Sequence, residues 1–358
     1  KMLLELEKFY KNKKILITGN TGFKGSWLTL ILSSLKSKVL GYSISELPNP
    51  NLYKILKLNK KIKFIKGDIR NFNYLMKTVE KFNPHIIFHL AAQSLVKKSF
   101  KKPLYTISTN TGGSANILEC SRLSKSVKSL VYITSDKCYE NSEWIWGYRE
   151  NDKLGGCDPY SSSKAAAENI FTAYLESFFK EKKIGAASVR AGNVIGGGDW
   201  SRDRIIPDIM RSINSNKKLL IRNPNSTRPW QHVLDPLLGY LILGMKIYNN
   251  NSFSGAWNFG PNSTNVFTVK DVVNQISSNL KINKNNFVFN KKNKRQFREA
   301  KLLKLNCDKA SEYLKWKPKL SAKQSIDLTC VWYKSYFEKK DMANITFKQI
   351  ENYLKNYE

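Results

Sequence analysis

The chain has 358 residues, 41% hydrophobic and 12% aromatic, with 60 Lys and Arg against 28 Asp and Glu for a formal charge of +32. That length and apolar content suit a globular core large enough for a cofactor cleft, while the longest apolar run, around Leu237 to Met245, is too short to cross a bilayer. The positive excess is mostly lysine spread along the whole chain and not gathered in one basic arm, which argues against nucleic acid as a partner.

Cys120, Cys138, Cys157, Cys307 and Cys330 are odd in number and scattered, and they share no ligand spacing with His85, His89 and His232. This pattern predicts a reducing compartment and no metal. The first residues mix Glu with Lys and hold no apolar leader region, which predicts a cytoplasmic protein.

In chain order, Lys14 to Thr18 is an apolar run suited to a buried parallel strand. It leads into Gly19-Asn20-Thr21-Gly22-Phe23-Lys24-Gly25 and a helical run from Trp27 to Leu32. Gly19 permits the tight turn, Gly22 lets a pyrophosphate approach the amides at the helix start, and Gly25 lets helix pack on strand. The spacing is G-x-x-G-x-x-G, one residue away from the standard dinucleotide fingerprint. Thr21, Phe23 and Lys24 lie inside the same turn and are candidate cofactor contacts.

A second strand, Lys38 to Tyr42, is expected to end in an acid that grips a ribose. It ends instead in Ser43-Ile44-Ser45-Glu46, with no Arg nearby for a 2′-phosphate, so Ser43 specifies NAD over NADP only weakly. Ile62 to Ile65 is a third strand closing on Gly67-Asp68-Ile69, where Asp68 reads either as an adenine contact or as a solvated loop residue. His85 to Leu90 is a fourth, and its continuation Ala91-Ala92-Gln93 lets a cofactor lie against the backbone. The histidines that flank it read as structural. Asn110 opens the next helix, which runs through Asn116 to Cys120.

Leu130 to Thr134 is the fifth strand, and Ser135, Asp136 and Lys137 follow at its carboxyl end, where open α/β sheets bind ligands. Asp136 and Lys137 serve one site only if the chain has left the strand there, because strand neighbours face opposite ways. Strands alternating with helices predict an α/β fold, a Rossmann-like doubly wound parallel sheet with a smaller C-terminal α/β substrate lobe.

Asp158 reads as an N-cap and Pro159 as the first helical residue, which puts Tyr160 and Lys164 on one helix face. The cation and the helix N-terminus both favour phenolate, so Tyr160 is expected to act as a base near neutral pH.

A strand around Ala187 to Arg190 runs into the Gly-rich Asn193 to Trp200, read as a hinge into the second lobe. Arg202, Asp203 and Arg204 follow, then a helix near Pro207 to Ile213. Arg228 to Val233 is expected as one ligand-facing strand, with Arg228 suited to phosphate, and Trp257 to Gly260 returns to the first lobe. Beyond Thr268 the chain is helix- and lysine-rich, with Arg298, Glu299 and Asp308 its least generic polar positions. The expected division is 1–190, with a return segment near 232–264, for the cofactor, and 191–358 for the substrate.

With these pieces placed, the chain resembles the extended short-chain dehydrogenase/reductase family along nearly its whole length. Within that family, three stretches are similar to the CDP-glucose 4,6-dehydratase subgroup: Gly22 to Leu28, Ser135 to Asn141 and Trp144 to Asn151. Gly197 to Trp200 and Arg228 to Val233 fit the same subgroup. The resemblance implies a lyase that uses NAD catalytically to turn CDP-glucose into CDP-4-dehydro-6-deoxyglucose, a precursor for surface polysaccharides. It implies Tyr160 with Lys164 as base at the 4-OH, Ser135 on the 4-oxygen and a protonated Asp136 as acid to the departing 6-hydroxyl. Gly19, Thr21, Gly22, Phe23, Lys24, Gly25, Ser43, Asp68, Ile69, Leu90, Ala91, Ala92, Gln93 and Asn110 would hold the cofactor with Tyr160 and Lys164. Asn193, Arg204, Arg228 and Arg298 would hold the nucleotide sugar. Relatives acting on dTDP-glucose carry Glu at the position of Lys137, as the base at C5; this departure supports CDP-glucose and leaves the C5 step open. The family commonly forms homodimers or homotetramers through a four-helix interface. A 4-epimerase, a dehydratase for another nucleotide sugar and a non-enzymatic RNA-binding relative are the competing readings.

Overall fold

Seven parallel strands lie side by side in the order Gly255–Phe259, Gly185–Ala191, Ser129–Ile133, Ile86–His89, Lys14–Thr18, Lys38–Ser43 and Lys63–Lys66. The structure is a computed structural model that describes residues 2–44, 49–215, 217–221, 223–262, 266–283, 286–289 and 302–357. Strands buried on both faces need apolar residues at successive positions, and Ile15, Leu16 and Ile17 are all fully buried. Ile15 and Ile17 join a core with the helices Phe23–Ser34, Leu234–Asn249 and Ala322–Phe337. Leu16 faces the other way, into a core with Phe72–Phe82, Ser114–Leu123 and Pro159–Tyr174. The outer strand Lys63–Lys66 begins and ends in an exposed lysine, which blunts the open edge.

From Lys14–Thr18 the chain winds outward to Lys63–Lys66, then returns to Ile86–His89 on the other side and winds away. The strand order therefore reverses between Thr18 and His89, which are paired in the register. A crevice at the carboxyl ends of these strands is where this topology binds ligands.

Two expectations need correction. Arg228 to Val233 is not one strand: Thr227–Arg228 pairs antiparallel with Phe267–Thr268, while Gln231–His232 pairs parallel with Val194–Ile195. Pro229 lies between the two pieces and has no N–H for a ladder. Asn110 does not open a helix but lies inside a π-helical turn, Ser108–Gly113, continuous with Ser114–Leu123. Helix Leu234–Asn249 packs on the sheet that strand Gly255–Phe259 joins. Arg298 and Glu299 lie outside the described residues. Among the described residues no helix is long and apolar enough to cross a membrane, and no group of three His, Cys, Asp or Glu is placed to hold a metal ion.

The C-terminal segment is tied down by Asp235. Its carboxylate accepts from Lys319 N at 2.9 Å and Tyr353 Oη at 2.7 Å, while its other oxygen has no partner. Burial pushes this carboxyl up to about 6, against the opposing pull of those hydrogen bonds. In the unfolded chain the group ionises near ~4, so between pH ~4 and ~6 the folded state alone keeps the proton, and stability falls as pH rises through that window. A difference of that size in proton affinity corresponds to roughly 3 kcal/mol. Asp235→Asn keeps an acceptor for both donors, so its thermal midpoint, measured from pH 4 to 7, is expected to lose most of this decline. A wild-type decline in the variant would assign it to another group.

Candidate active site

The glycine turn is crowded where the chain reverses. Gly19 has φ +74°, and a Cβ there would stand 2.7 Å from Ala91 N; one on Gly25 would stand 2.2 Å from the Gly19 carbonyl oxygen. Neither position admits a side chain. Helix Phe23–Ser34 starts at Gly22 without a side-chain cap, so its first-turn amides are presented to an anion by a twelve-residue helix. Thr21 is buried, and its carbonyl accepts from Asn51 Nδ2 at 3.4 Å. Phe23 belongs to the hydrophobic core, where its ring abuts Gly196. Lys24 lies in the first turn of the helix; burial pushes its ammonium down to about 8, with the charges of Arg204, Asp136 and Lys164 acting on it.

Along the strand ends, Ser43 is buried and its hydroxyl donates to Asn20 Oδ1 at 3.0 Å. Asn20 lies over Gly41, where any Cβ would meet its amide at 2.2 Å. Asp68 is engaged by Arg70 through both carboxylate oxygens, and Ile69 packs against Gly113. Leu90, Ala91 and Ala92 are half-buried at the crevice. Gln93 and Asn110 hold each other: Gln93 N donates to Asn110 Oδ1 at 2.8 Å, and Asn110 Nδ2 donates to Gln93 O and Ser163 Oγ, each at 3.0 Å. These side chains clamp the loop after Ile86–His89 onto the Tyr160 helix. His89 bridges Thr18 and Ser114, and burial first, then the Lys164 charge, push its imidazole down to about 3. It stays neutral and structural.

The fifth strand stops at Ile133 and residues Asp136–Cys138 form a 3-10 turn, so the chain has left the strand before Asp136 and Lys137. Ser135 Oγ donates to Asp136 Oδ1 at 2.9 Å and accepts from Lys137 N at 3.2 Å. Asp136 is buried, and burial pushes its carboxyl up, against the Lys137 and Lys24 charges and the Ser135 bond. Lys137 is half-buried beside it. As the sequence indicates, Asp158 caps the next helix by accepting from Tyr160 N at 2.9 Å and Ser161 N at 3.0 Å, with Pro159 at its first position.

The electrostatics differ from the sequence expectation. Burial pushes the Tyr160 phenol up to about 12; the Ser135 hydrogen bond and the Arg204 charge work against it and Asp136 works with it. Lys164 is pushed down to about 8 by burial, with Glu168 opposing. Desolvation of the charged form outweighs the local helix and cation effects. The protein's own groups therefore leave Tyr160 protonated at neutral pH.

From the second lobe, Arg204 is held by Asp199 at 3.1 Å and its charge acts on Tyr160 and Lys24. Gly192 lies between Asp136 and Pro229, since a Cβ there would sit 3.2 Å from Asp136 Oδ2 and 3.9 Å from the Pro229 ring. Next to it, Asn193 accepts from Gln231 N through its carbonyl at 3.1 Å. Arg228 lines a cleft with Thr227, Pro229, Pro261, Asn262 and Leu305. The segment around Trp144 is anchored by Tyr148, which stacks on Tyr139 with ring centroids 5.1 Å apart.

Sequence reading passed over a buried network under this site: Glu168, Arg190, Tyr139 and Asn258. The available signals were an arginine inside an otherwise apolar strand and a glutamate one turn beyond Lys164.

A sequence profile described as GDP-mannose 4,6 dehydratase matches residues 16–329. A CDP-glucose 4,6-dehydratase of Salmonella typhimurium is 42% identical over 354 residues, 97% of this chain and 98% of that protein. A dTDP-D-glucose 4,6-dehydratase of Homo sapiens is 26% identical, with 91% of each chain covered. Among solved structures, the dTDP-glucose 4,6-dehydratase of Bacillus anthracis in complex with NAD superposes with a TM-score of 0.75 at 24% identity, covering 92% of this chain and 99% of that one. The UDP-glucose 4-epimerase of Thermotoga maritima with UDP-glucose gives a TM-score of 0.76 at 22% identity, over 90% and 99%.

Proposed function

The chain belongs to the GDP-mannose 4,6-dehydratase family, and from that premise we propose that it converts CDP-glucose to CDP-4-dehydro-6-deoxyglucose and water. The observation that carries this reading is Asp136: a buried carboxyl whose proton affinity is raised by burial, hydrogen-bonded by Ser135 at the end of the strand that faces the Tyr160 helix. Moving a hydride at C4 requires only a base. Expelling the 6-hydroxyl requires an acid as well, and a carboxyl with a raised proton affinity is suited to supply one.

NAD⁺, when bound, would take the hydride from C4 and return it at C6. The uncapped glycine turn fits its pyrophosphate, and the small residues Ala91 and Ala92 fit its approach. Once its own proton has left to solvent, drawn off by the positive charges of Lys164 and of bound NAD⁺, the Tyr160 phenolate would remove the 4-OH proton, with Ser135 bonding the 4-oxygen. The ketone acidifies C5, whose proton leaves to the Lys137 amine, or to water while Lys137 stabilises the carbanion, and Asp136 delivers its proton to the departing oxygen. Asn193, Arg204 and Arg228 hold the nucleotide sugar, with Arg298 assigned to the same task. In this reading 1–190, with the return segment near 232–264, carries the cofactor, and the rest of 191–358 carries the substrate.

We extend the reading to a homodimer, or a pair of dimers, through a four-helix interface that includes the Tyr160 helix. Phe100, Leu104 and Ile107 are exposed on the helices that pack against the Tyr160 helix and Phe178 on its continuation, Leu104 to 80%, and large apolar side chains left in solvent favour a partner. Five free cysteines accord with the cytoplasm.

Incubation with a panel of nucleotide glucoses tests the function. The expected product forms from CDP-glucose, is one water lighter and carries a 4-ketone. A product of unchanged mass would identify a 4-epimerase, and turnover of another nucleotide alone would reassign the substrate.

The ribose pocket yields a separate prediction. Asn20 Nδ2 has no partner and its Oδ1 accepts from Ser43. With Ser43→Asp the Asn20 amide can turn to donate to the new carboxylate, whose second oxygen then accepts from ribose hydroxyls and repels a 2′-phosphate. Titration is expected to show the preference for NAD⁺ over NADP⁺ rising roughly ten- to a hundredfold, the worth of one charged hydrogen bond. An unchanged ratio would place the ribose elsewhere.

A further inference from the structure

Glu168 takes no part in the steps above, yet it is fully buried one turn beyond Lys164 and two turns beyond Tyr160 on the same helix. Its carboxylate is saturated from two neighbouring strands. One oxygen accepts from Thr134 Oγ1, the residue just before Ser135. The other accepts from Ser188 Oγ at 2.7 Å and Arg190 Nη2 at 2.8 Å. Arg190 continues the chain: its Nη1 donates to Tyr139 Oη at 2.7 Å and to the Glu150 carbonyl at 2.9 Å, and Tyr139 Oη donates to Asn258 Oδ1 at 2.8 Å. Asn258 Nδ2 in turn holds the Tyr148 carbonyl at 2.8 Å and the Asn306 carbonyl at 3.2 Å.

The side chains of Arg190 and Glu168 are only 3% and 1% exposed. An ion pair this deep gives little net stability over apolar residues of the same volume, so its charge is free to serve another use. The groups that face Lys164 are Tyr160 and Glu168 on its own helix, Cys138 after the catalytic strand, His89 at the end of the adjacent strand, and Lys24 from the glycine turn. Burial keeps the Cys138 thiol and the Tyr160 phenol protonated and His89 neutral. Burial also favours a charged Glu168 least, but Arg190 and three hydrogen bonds override it and hold that carboxyl ionised. Glu168 is thus the anion of this group.

We propose that Glu168 is a positioning residue of the reaction: its carboxylate keeps the Lys164 ammonium charged one turn away, and its bond from Thr134 locks the Ser135–Asp136 strand end to the Tyr160 helix. The inference rests on the dehydratase reading for its kinetic consequence but not for its electrostatic one.

The test uses the NAD⁺-loaded enzyme and lysine labelled with carbon-13 at Cε, with the Lys164 resonance assigned by its loss in Lys164→Met. Glu168→Gln alone leaves Arg190 buried without its anion and risks misfolding. The principal variant is therefore Glu168→Gln with Arg190→Met, which removes both charges, and Thr134→Val separately cuts the bond to the strand end. In the double variant the Lys164 titration is expected to fall by about one pH unit, a roughly tenfold loss of its protonated fraction on the alkaline side. The alkaline limb of turnover should move down with it. Thr134→Val should lower kcat at every pH, leave KM near wild type and leave the limb in place. A folded double variant with an unchanged Lys164 titration overturns the charge role, and an unchanged kcat in Thr134→Val overturns the locking role. If the wild type fails to turn over CDP-glucose, the functional reading falls, while the resonance titration still decides the role of Glu168.

Discussion

Tyr160→Phe is expected to lower turnover by 10²–10⁴-fold, the usual contribution of a general acid–base group, with fold and CDP binding retained. The substitution deletes one oxygen from a residue that is already buried, on a helix whose cap, Asp158, bonds backbone amides and is untouched. The Ser135 hydroxyl keeps its bonds to Asp136 and to the Lys137 amide. Nicotinamide reduction should therefore fail at the first step, and the KM for CDP-glucose should stay near the wild-type value. Near-normal reduction in this variant would remove Tyr160 from the chemistry.

The second large effect is expected one step later. Lys137→Met should oxidise C4 and then stop, with the absorbance of reduced nicotinamide accumulating and dehydration falling by a comparable 10²–10⁴-fold. Lys137 follows Asp136 in a single turn, and its backbone amide donates to Ser135 Oγ. In the proposed reaction its side chain would serve C5 while Asp136 supplies the other proton. Removing the amine leaves the oxidised sugar without either a base or a cation for the charge that develops at C5. Deuterium from solvent should accordingly no longer enter C5. If the variant keeps wild-type exchange and dehydration, Lys137 is a solvated loop lysine and another group serves C5.

Both variants probe residues whose positions were legible in the chain, because the signals were local. A cap, a helical proline and a four-residue interval are enough to put Tyr160 and Lys164 on one face. The glycine turn was equally readable, since the contact that forbids a side chain at Gly25 is with Gly19, six residues earlier. The halves of Arg228 to Val233 were not, although Pro229 marks the break. Which strand each half joins depends on residues about 35 to 40 positions away, at Phe267–Thr268 and at Val194–Ile195.

The alternation of apolar strands, helices and glycine turns by itself determined the doubly wound sheet and the crevice at its strand ends, and local spacing put Ser135 and Asp136 at a strand end and Tyr160 and Lys164 on one helix face. Only the tertiary structure decided their charge states and directions. Tyr160 keeps its proton, Asp136 gains affinity for one, Lys24 comes under the charges of Arg204, Asp136 and Lys164, and Glu168 pairs with Arg190. The reason is that sequence spacing governs backbone geometry over a few residues, whereas desolvation and charge pairing depend on everything that closes around a group. Here those neighbours arrive from strands and loops 20 to more than 60 residues away in the chain.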